Sequence, residues 1–308
     1  MHLVKYSVVI PVYRGELTLE KLTMEIVSFF NSEKLTFELI FIDDLAGDNS
    51  WSVINSLKNK YGNLVRGIRL THNFGQHNAL ICGIRNATGE FLITMDEDLQ
   101  QSPSDIRSLI DKQKESDYDL VYGRFGRLRH NKFRNLTSFL LKKLLRIGLP
   151  GLHPDYSAFR LIKGEVAKKA ISKATSYAFL DVFFPMRDNK ISSIEVKHSK
   201  REAGRSSYSI PKLINHSVNI FINYSVPFVR VSAWIVLLLL FLSFAYGGYS
   251  ELQYIINQTG LSGDSDLFEI APDCLLLCVL VFLSIYVATV FWNILNTRKA
   301  GYSVRDNI

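Results

Sequence analysis

Short apolar runs recur through the first 125 positions, each closed by a turn and followed by a stretch in which apolar residues return every three or four places. SVVIP (7–11) reads as a buried strand, and ELIFID (38–43), RGIRL (66–70), EFLITM (90–95) and DLVYG (119–123) read as further strands, because they are short, largely apolar runs bounded by turns. The helical period between them predicts helices near Leu17–Phe30, from about Ser50 to Tyr61, and from roughly Gln76 to Ala87. Another begins at Pro103, a residue favoured at the first helical position. Strands alternating with amphipathic helices make a parallel, doubly wound α/β sheet. Ligands in such sheets bind beyond the carboxyl ends of the strands, so the residues closing each run are the ones placed to carry chemistry.

Beyond residue 125 the pattern changes. A basic, helical stretch carries Arg124, Arg127, Arg129, Lys132, Arg134, Lys142, Lys143 and Arg146, followed by strand-like SAFRLI (157–162) and SSIEVKH (192–198). Over 210–229, Ile214, Val218, Phe221 and Ile222 recur near helical spacing, with Lys212, Asn215, His216, Asn219 and Asn223 opposite. That amphipathic segment is expected to lie along a bilayer face; the alternative is an ordinary surface helix packed on the domain. No residue is charged from Val231 to Tyr249 or from Cys274 to Thr297. Each stretch is long enough for a transmembrane helix, which needs about 20 residues, so two spans are expected at about 231–249 and 274–296. Between Arg230 and Arg298 there is no Lys or Arg, and the connection carries Glu251, Asp264, Asp266, Glu269 and Asp273. Basic flanks and an acidic connection place the large N-terminal part on the cytoplasmic side. The expected organisation is a cytoplasmic domain (1–209), an interfacial helix (210–229), two spans with an acidic extracytoplasmic loop (230–297) and a cytoplasmic tail (298–308). The expected location is therefore the inner, cytoplasmic membrane, as a multi-pass protein with its catalytic domain facing the cytoplasm. The opening MHLVKYSVVIP is too short and too soon structured for a signal peptide.

Charge and cysteine usage narrow the class. A net charge of +7 over 308 residues suits nucleic acid or an anionic membrane. The basic residues lack interleaved stacking aromatics, so the membrane is favoured and nucleic acid is not expected. Cys82 stands alone, while Cys274 and Cys278 lie one helical turn apart within an apolar stretch. There is no CxxC pair, and seven scattered histidines form no zinc pattern. No GxGxxG follows the first strand and no GxxxxGK[ST] occurs, which disfavours a dinucleotide site and a P-loop.

Three acidic clusters, Glu16, Asp43-Asp44 and Asp96-Glu97-Asp98, sit at or just past strand ends. Any one alone could be a turn or helix cap. Three carboxylates crowded together repel and are costly to desolvate unless a cation sits among them. Asp96 and Asp98, at i and i+2 around a tight turn, can reach one hard cation. Mg2+ or Mn2+ would suit, since both take oxygen ligands and complete their shells with substrate phosphates.

VVIPVYRGE (8–16), FIDDLAGDNSW (41–51), HNFGQHNAL (72–80), MDEDLQQSP (95–103), DYSAFRLI (155–162) and REAGRSSY (201–208) together resemble the inverting family-2 glycosyltransferases of GT-A fold. The similarity is greatest to the polyprenyl-phosphate branch, which includes dolichyl-phosphate mannose synthases and bactoprenol glucosyltransferases. It covers residues 5–210, and the two spans match the membrane-anchored bacterial members. The resemblance implies that Pro11, Tyr13, Glu16 and Asp44 border the nucleotide, with Asp44 accepting a hydrogen bond from the base, naturally a uracil N3–H. It implies that Asp96 and Asp98 flank metal and diphosphate, that Gln100 supports them, and that Arg124, Arg134, Arg201 and Arg205 surround phosphates. The chain departs from the family in four places. Arg14-Gly15-Glu16 replaces an Asn-Glu pair, Leu45-Ala46 a Gly-Ser turn, Ser207 a Lys and Ala158 an Asp.

The activity so implied is transfer of one sugar, with inversion, from a nucleotide-diphosphate sugar (a UDP-sugar by preference) to undecaprenyl or another polyprenyl phosphate. The product would serve envelope glycan or O-antigen modification. A phosphate monoester is already an anionic nucleophile near neutral pH, so no general base is required. If the acceptor is instead a glycan or lipid hydroxyl, Asp155 and Asp181 are candidate bases; otherwise each is a structural partner. None of Trp51, Trp234 or Trp292 lies in the Q-x-x-R-W signature of processive synthases. A non-catalytic membrane scaffold or flippase component is the third reading, and relatives with such anchors can form homo-oligomers.

Overall fold

The computed structural model describes residues 4–125, 149, 152–172, 179–184, 189–197, 234–235, 237–242, 244–249, 279–288 and 301–308. In chain order the strands are β1 (Tyr6–Val12), β2 (Phe37–Asp43), β3 (Val65–Leu70), β4 (Phe91–Thr94), β5 (Leu120–Phe125), β6 (Arg160–Lys163), β7 (Ile191–Val196) and β8 (Val304–Asn307). Helices α1 (Leu19–Ser32), α2 (Ser50–Tyr61), α3 (Gln76–Asn86) and α4 (Ile106–Ser116) connect the first five strands. Pro103 opens a 3-10 turn, Pro103–Asp105, that leads into α4. The predicted strands and helices fall within a few residues of these bounds.

One eight-stranded sheet results, in the order β7-β5-β6-β4-β1-β2-β3-β8. β1, β2, β3 and β4 pair parallel, as do β5 and β7, which bears out the mostly parallel, GT-A-like α/β sheet. Strand alternation divides the core between the two faces. Val8, Ile10 and Val12 pack with Leu22, Ile26 and Phe30 of α1 on one side. Val9, Ile40 and Ile42 pack with Ala79, Ile81 and Ile84 of α3 on the other.

Two strands run against the parallel grain. β6 lies antiparallel between β4 and β5, and its four residues are too few for periodicity to reveal their place. β8 pairs antiparallel with β3, although VRDN is polar and exposed and carries no strand pattern. The free edge of β3 makes it a strand, since an unpaired edge is a template for any extended segment. Residues 298–308, expected as a tail, therefore include part of the sheet.

The interfacial helix expected at 210–229 and most of the basic stretch after Phe125 lie outside the described residues. Within the two apolar segments, 234–235, 237–242, 244–249 and 279–288 are helical. Among the described residues, no helix is long and apolar enough to cross a membrane. The described parts nevertheless expose large apolar side chains, with Trp234 71%, Phe241 66% and Phe244 83% accessible.

Candidate functional site

The β1–β2 ladder continues to Val12↔Asp43, whereas the β1–β4 ladder ends at Val9↔Thr94. β1 and β4 therefore part at their carboxyl ends, and the order β4-β1-β2-β3 places the reversal of winding between them. A crevice outside the strand ends at such a switch point is where doubly wound sheets bind ligands. Pro11 lies buried beyond the last β1–β4 pair, so its missing N–H costs no bond in that ladder. Tyr13 follows on one side of the crevice, and the Met95–Gln101 loop on the other.

Asp96 is held from two directions. Gln76, at the start of α3, brings its Nε2 to 2.6 Å from Asp96 Oδ1. Gln101 donates to Asp96 Oδ2 at 3.0 Å and accepts the Asp96 backbone N–H at 2.9 Å. Asp98 Oδ1 accepts the backbone N–H of Gln100 at 3.1 Å, closing a small turn. Between them, Glu97 Oε1 accepts the Tyr13 backbone N–H at 3.3 Å, tying the β1 loop to the β4 loop. Burial, reinforced by the neighbouring Asp96 carboxylate, pushes Glu97 up to about 8.

The β2 acids are engaged as well. Asp44 Oδ1 and Oδ2 accept the backbone N–H groups of Phe74 and Gly75, at 2.7 and 2.8 Å. Each oxygen keeps a second lone pair for another donor. Burial raises the Asp44 carboxyl to about 6, against the pull of those two N–H groups. Gly75 has φ +85°, backbone that other residues adopt only with strain, and this turn aims its N–H at Asp44. Asp43 is buried 3.1 Å from Arg69 Nε, an ion pair without hydrogen-bond alignment. Glu16 Oε2 accepts the backbone N–H of Asn49 at 3.0 Å, just ahead of α2.

Three non-glycine residues at this rim have positive φ: Arg14 (65°), Leu45 (50°) and Leu99 (60°), in the loops after β1, β2 and β4. Backbone strain of about 1–3 kcal/mol per residue is characteristic of sites whose geometry is over-determined by their surroundings. The Arg14 guanidinium lies 5.5 Å from the Tyr13 ring centre.

The structure thus gathers Pro11, Tyr13, Asp44, Asp96, Asp98 and Gln100 at one rim, with Glu16 beside it at the start of α2. Arg124 lies on the exposed end of β5, 3.5 Å from Glu195. Arg134, Arg201 and Arg205 lie outside the described residues. Of the two candidate bases, Asp155 accepts the Ser193 hydroxyl at 2.7 Å. Asp181 is fully enclosed, ion-paired with Arg160 and hydrogen-bonded by Tyr122 at 3.0 Å. Burial still raises its carboxyl despite that partner. Asp181 is therefore a structural carboxylate. Two side chains escaped the sequence reading, Gln76 and Gln101. The second Gln of LQQ beside an acidic triplet was the available signal, whereas nothing local points Gln76 at Asp96.

Among the described residues, no group of three or more His, Cys, Asp or Glu is arranged to hold a metal ion. Asp96 and Asp98 alone offer two hard oxygen donors. That set fits a cation whose remaining positions are filled by substrate phosphates rather than by protein.

A family model described as "Glycosyl transferase family 2" matches residues 7–169. The chain is 33% identical over 211 residues to the undecaprenyl-phosphate 4-deoxy-4-formamido-L-arabinose transferase of Shewanella sediminis, covering 68% of this chain and 63% of that protein. It is 32% identical over 212 residues to the Proteus mirabilis transferase of the same name, covering 68% and 65%. The chain thus spans just under two thirds of the length of these curated relatives. Among solved structures, glucosyl-3-phosphoglycerate synthase from Mycobacterium tuberculosis, in complex with Mn2+, UDP and phosphoglyceric acid, superposes with a TM-score of 0.51. It is 16% identical and covers 71% of this chain and 76% of that one, a likeness of fold.

Proposed function

The chain belongs to glycosyl transferase family 2, and from that membership we propose that it transfers a single sugar from a nucleotide-diphosphate donor, a UDP-sugar by preference, to a polyprenyl phosphate at a membrane surface. The observation that carries this reading is the acidic rim at the β1/β4 switch point, where Asp96 is clamped by two glutamine amides with Asp98 beside it. Asp96 and Asp98 would hold a divalent cation, Mg2+ or Mn2+, with Gln100 beside them, and its chemistry is to neutralise charge on the departing diphosphate. A divalent cation accompanies the nucleotide in the mycobacterial neighbour of this fold. Pro11, Tyr13, Glu16 and Asp44 would border the nucleotide, where Asp44 keeps lone pairs for a base N–H. Arg124, with Arg134, Arg201 and Arg205, would receive the acceptor phosphate, since a guanidinium binds phosphate oxygens in pairs.

The acceptor is argued from three features. The curated relatives carry undecaprenyl phosphate in their names. A hydroxyl acceptor would call for a base; Asp181 is consumed by Arg160, and Asp155 is engaged by the Ser193 hydroxyl. A phosphate, with a second pKa of about 6, supplies its own nucleophilic oxygen. Positioning and charge stabilisation then suffice.

The exposed apolar helices support a bilayer anchor, as large exposed apolar surface does generally. β8 adds a topological constraint: its pairing with β3 puts residues 301–308 on the same side of any membrane as the sheet. The intervening chain must then cross an even number of times, which two spans satisfy. With its acidic connection outside, the catalytic domain faces the cytoplasm.

The test is transfer by the purified, membrane-reconstituted protein from a panel of labelled nucleotide sugars to undecaprenyl phosphate, with Mg2+ or Mn2+. Label should move into the lipid phase with one donor, and Asp98→Ala should lose that transfer while remaining folded. Absence of lipid-soluble label across the whole panel overturns the proposal.

A further inference from the structure

Residues 301–308 do more than cover an edge. β8 is fastened at both ends. Beyond it, Gly67 and Ile308 exchange backbone hydrogen bonds of 3.0 and 2.9 Å. Before it, the Tyr302 ring packs against the core face that includes Cys82 and lies under the Arg85 guanidinium, 5.3 Å from the ring centre. Between them, the Ser303 carbonyl accepts the Thr71 N–H at 3.0 Å, and the two hydroxyls touch.

Thr71 is the first residue of the loop that leads from β3 into α3. His72 Nδ1 lies 3.0 Å from the Thr71 hydroxyl, and Asn73 Oδ1 accepts the Gly75 N–H at 3.1 Å. Phe74 and Gly75 donate to Asp44, and Gln76 donates to Asp96. One short loop therefore touches β8 at its first residue and both acidic strand ends at its last three.

We propose that the segment 301–308 is a positioning element of the donor site, acting through the Thr71–Gln76 loop to hold Asp44 and Asp96 in register across the crevice. The physical argument is one of anchorage. The loop is held at Phe74–Gln76 by Asp44 and Asp96 and at Thr71 by Ser303, so loosening the hold on its first residue frees the segment that carries the donors to both carboxylates. Ser303, at the entry to β8, supplies that hold from 232 residues away in sequence, and undocking of the segment would release Asp44 and Asp96 together. The identity of the ligand affected rests on the function proposed above; the tie itself does not.

The experiment uses the full chain. In a double variant, Tyr302→Ala removes the ring that meets the Arg85 guanidinium and Ile308→Ala removes the side chain packed on the core beside Gly67, and Val121→Ala in β5, across the sheet, serves as a destabilised control. Hydrogen exchange at the Phe74 and Gly75 amides reads the loop without any ligand. Calorimetry with UDP and Mn2+, well below the melting temperature, reads the site. The double variant should exchange at Phe74 and Gly75 roughly tenfold faster and bind UDP roughly tenfold more weakly, while the control changes neither. Gln76→Ala should weaken binding too, and combining it with the double variant should add less than the sum of the two effects. Should the double variant fail to fold, Thr71→Val removes only the hydroxyl contacts and is read in the same way. Unchanged exchange at Phe74 and Gly75 overturns the proposal, as does faster exchange with undiminished UDP binding. If the unaltered protein binds no UDP, the functional reading fails, while the exchange measurement still decides the tie.

Discussion

Gln101 meets Asp96 twice, accepting its backbone N–H at 2.9 Å and donating to its Oδ2 at 3.0 Å. One amide so fixes both the backbone and the carboxylate of the residue that heads the acidic triplet. With Gln76 on Oδ1, Asp96 has a single orientation before any ligand arrives.

Gln101→Ala should therefore weaken Mn2+-dependent donor binding or turnover roughly 10- to 100-fold, the usual cost of removing a group that orients a ligating side chain. Gln101 is buried, so about 1–3 kcal/mol of stability should go with it, from the unpaired Asp96 N–H. Titration calorimetry and thermal unfolding separate the two. Full donor affinity in a destabilised variant would reduce Gln101 to a structural role.

Arg160 and Asp181 form a buried pair, with Thr94 Oγ1 accepting from Arg160 Nε at 2.9 Å and the guanidinium 4.9 Å from the Phe184 ring centre. Asp181→Ala strands the guanidinium and should cost roughly 3–5 kcal/mol, measured by urea unfolding. Joint replacement by Met at 160 and Leu at 181 should recover much of that loss. An Asp181→Asn protein of wild-type stability that transfers no sugar would restore Asp181 as a candidate base.

Leu45 holds φ +50° in the loop after β2. Leu45→Gly should leave stability unchanged or slightly raised, because relief of strain is offset by the greater freedom of glycine in the unfolded chain. Leu45→Val should lower stability by roughly 1–2 kcal/mol, since a β-branched side chain tolerates this backbone least. Melting temperatures decide between them, and equal effects of Gly and Val would remove the strain argument.

Asp44 gives a pH signature. Its folded carboxyl titrates at about 6, against 3.8 for the ordinary group, so the native state binds this proton more tightly than the unfolded chain does. The stability contributed by protonation is fully present below about 4 and is lost as pH rises through about 6. Asp44→Asn should flatten that part of the stability–pH curve, followed by denaturant unfolding at a series of pH values. A slope identical to that of the unaltered protein would place the titration elsewhere.

The parallel strands were legible because strands covered on both faces must run apolar, and the acidic clusters stood out because each follows such a run. Their convergence on one crevice followed from the wound topology alone. β6 was legible as a strand within SAFRLI, but its antiparallel place between β4 and β5 was not. β8 was not legible at all, since VRDN is a strand only because the edge of β3 is free to pair with it.

The site divides in the same way. Carboxylates are few and costly to bury, so their positions along the chain already speak of a cation. Amides are common and cheap, and nothing in HNFGQ says that Gln76 will reach Asp96, 20 residues further on. Whether Asp181 was a base or one half of an ion pair depended on Arg160, 21 residues earlier, turning inward to meet it. Local pattern settles which segments are buried, because burial is a property of each residue's own chemistry. Which polar groups meet is a property of pairs, and it exists only once the chain has folded.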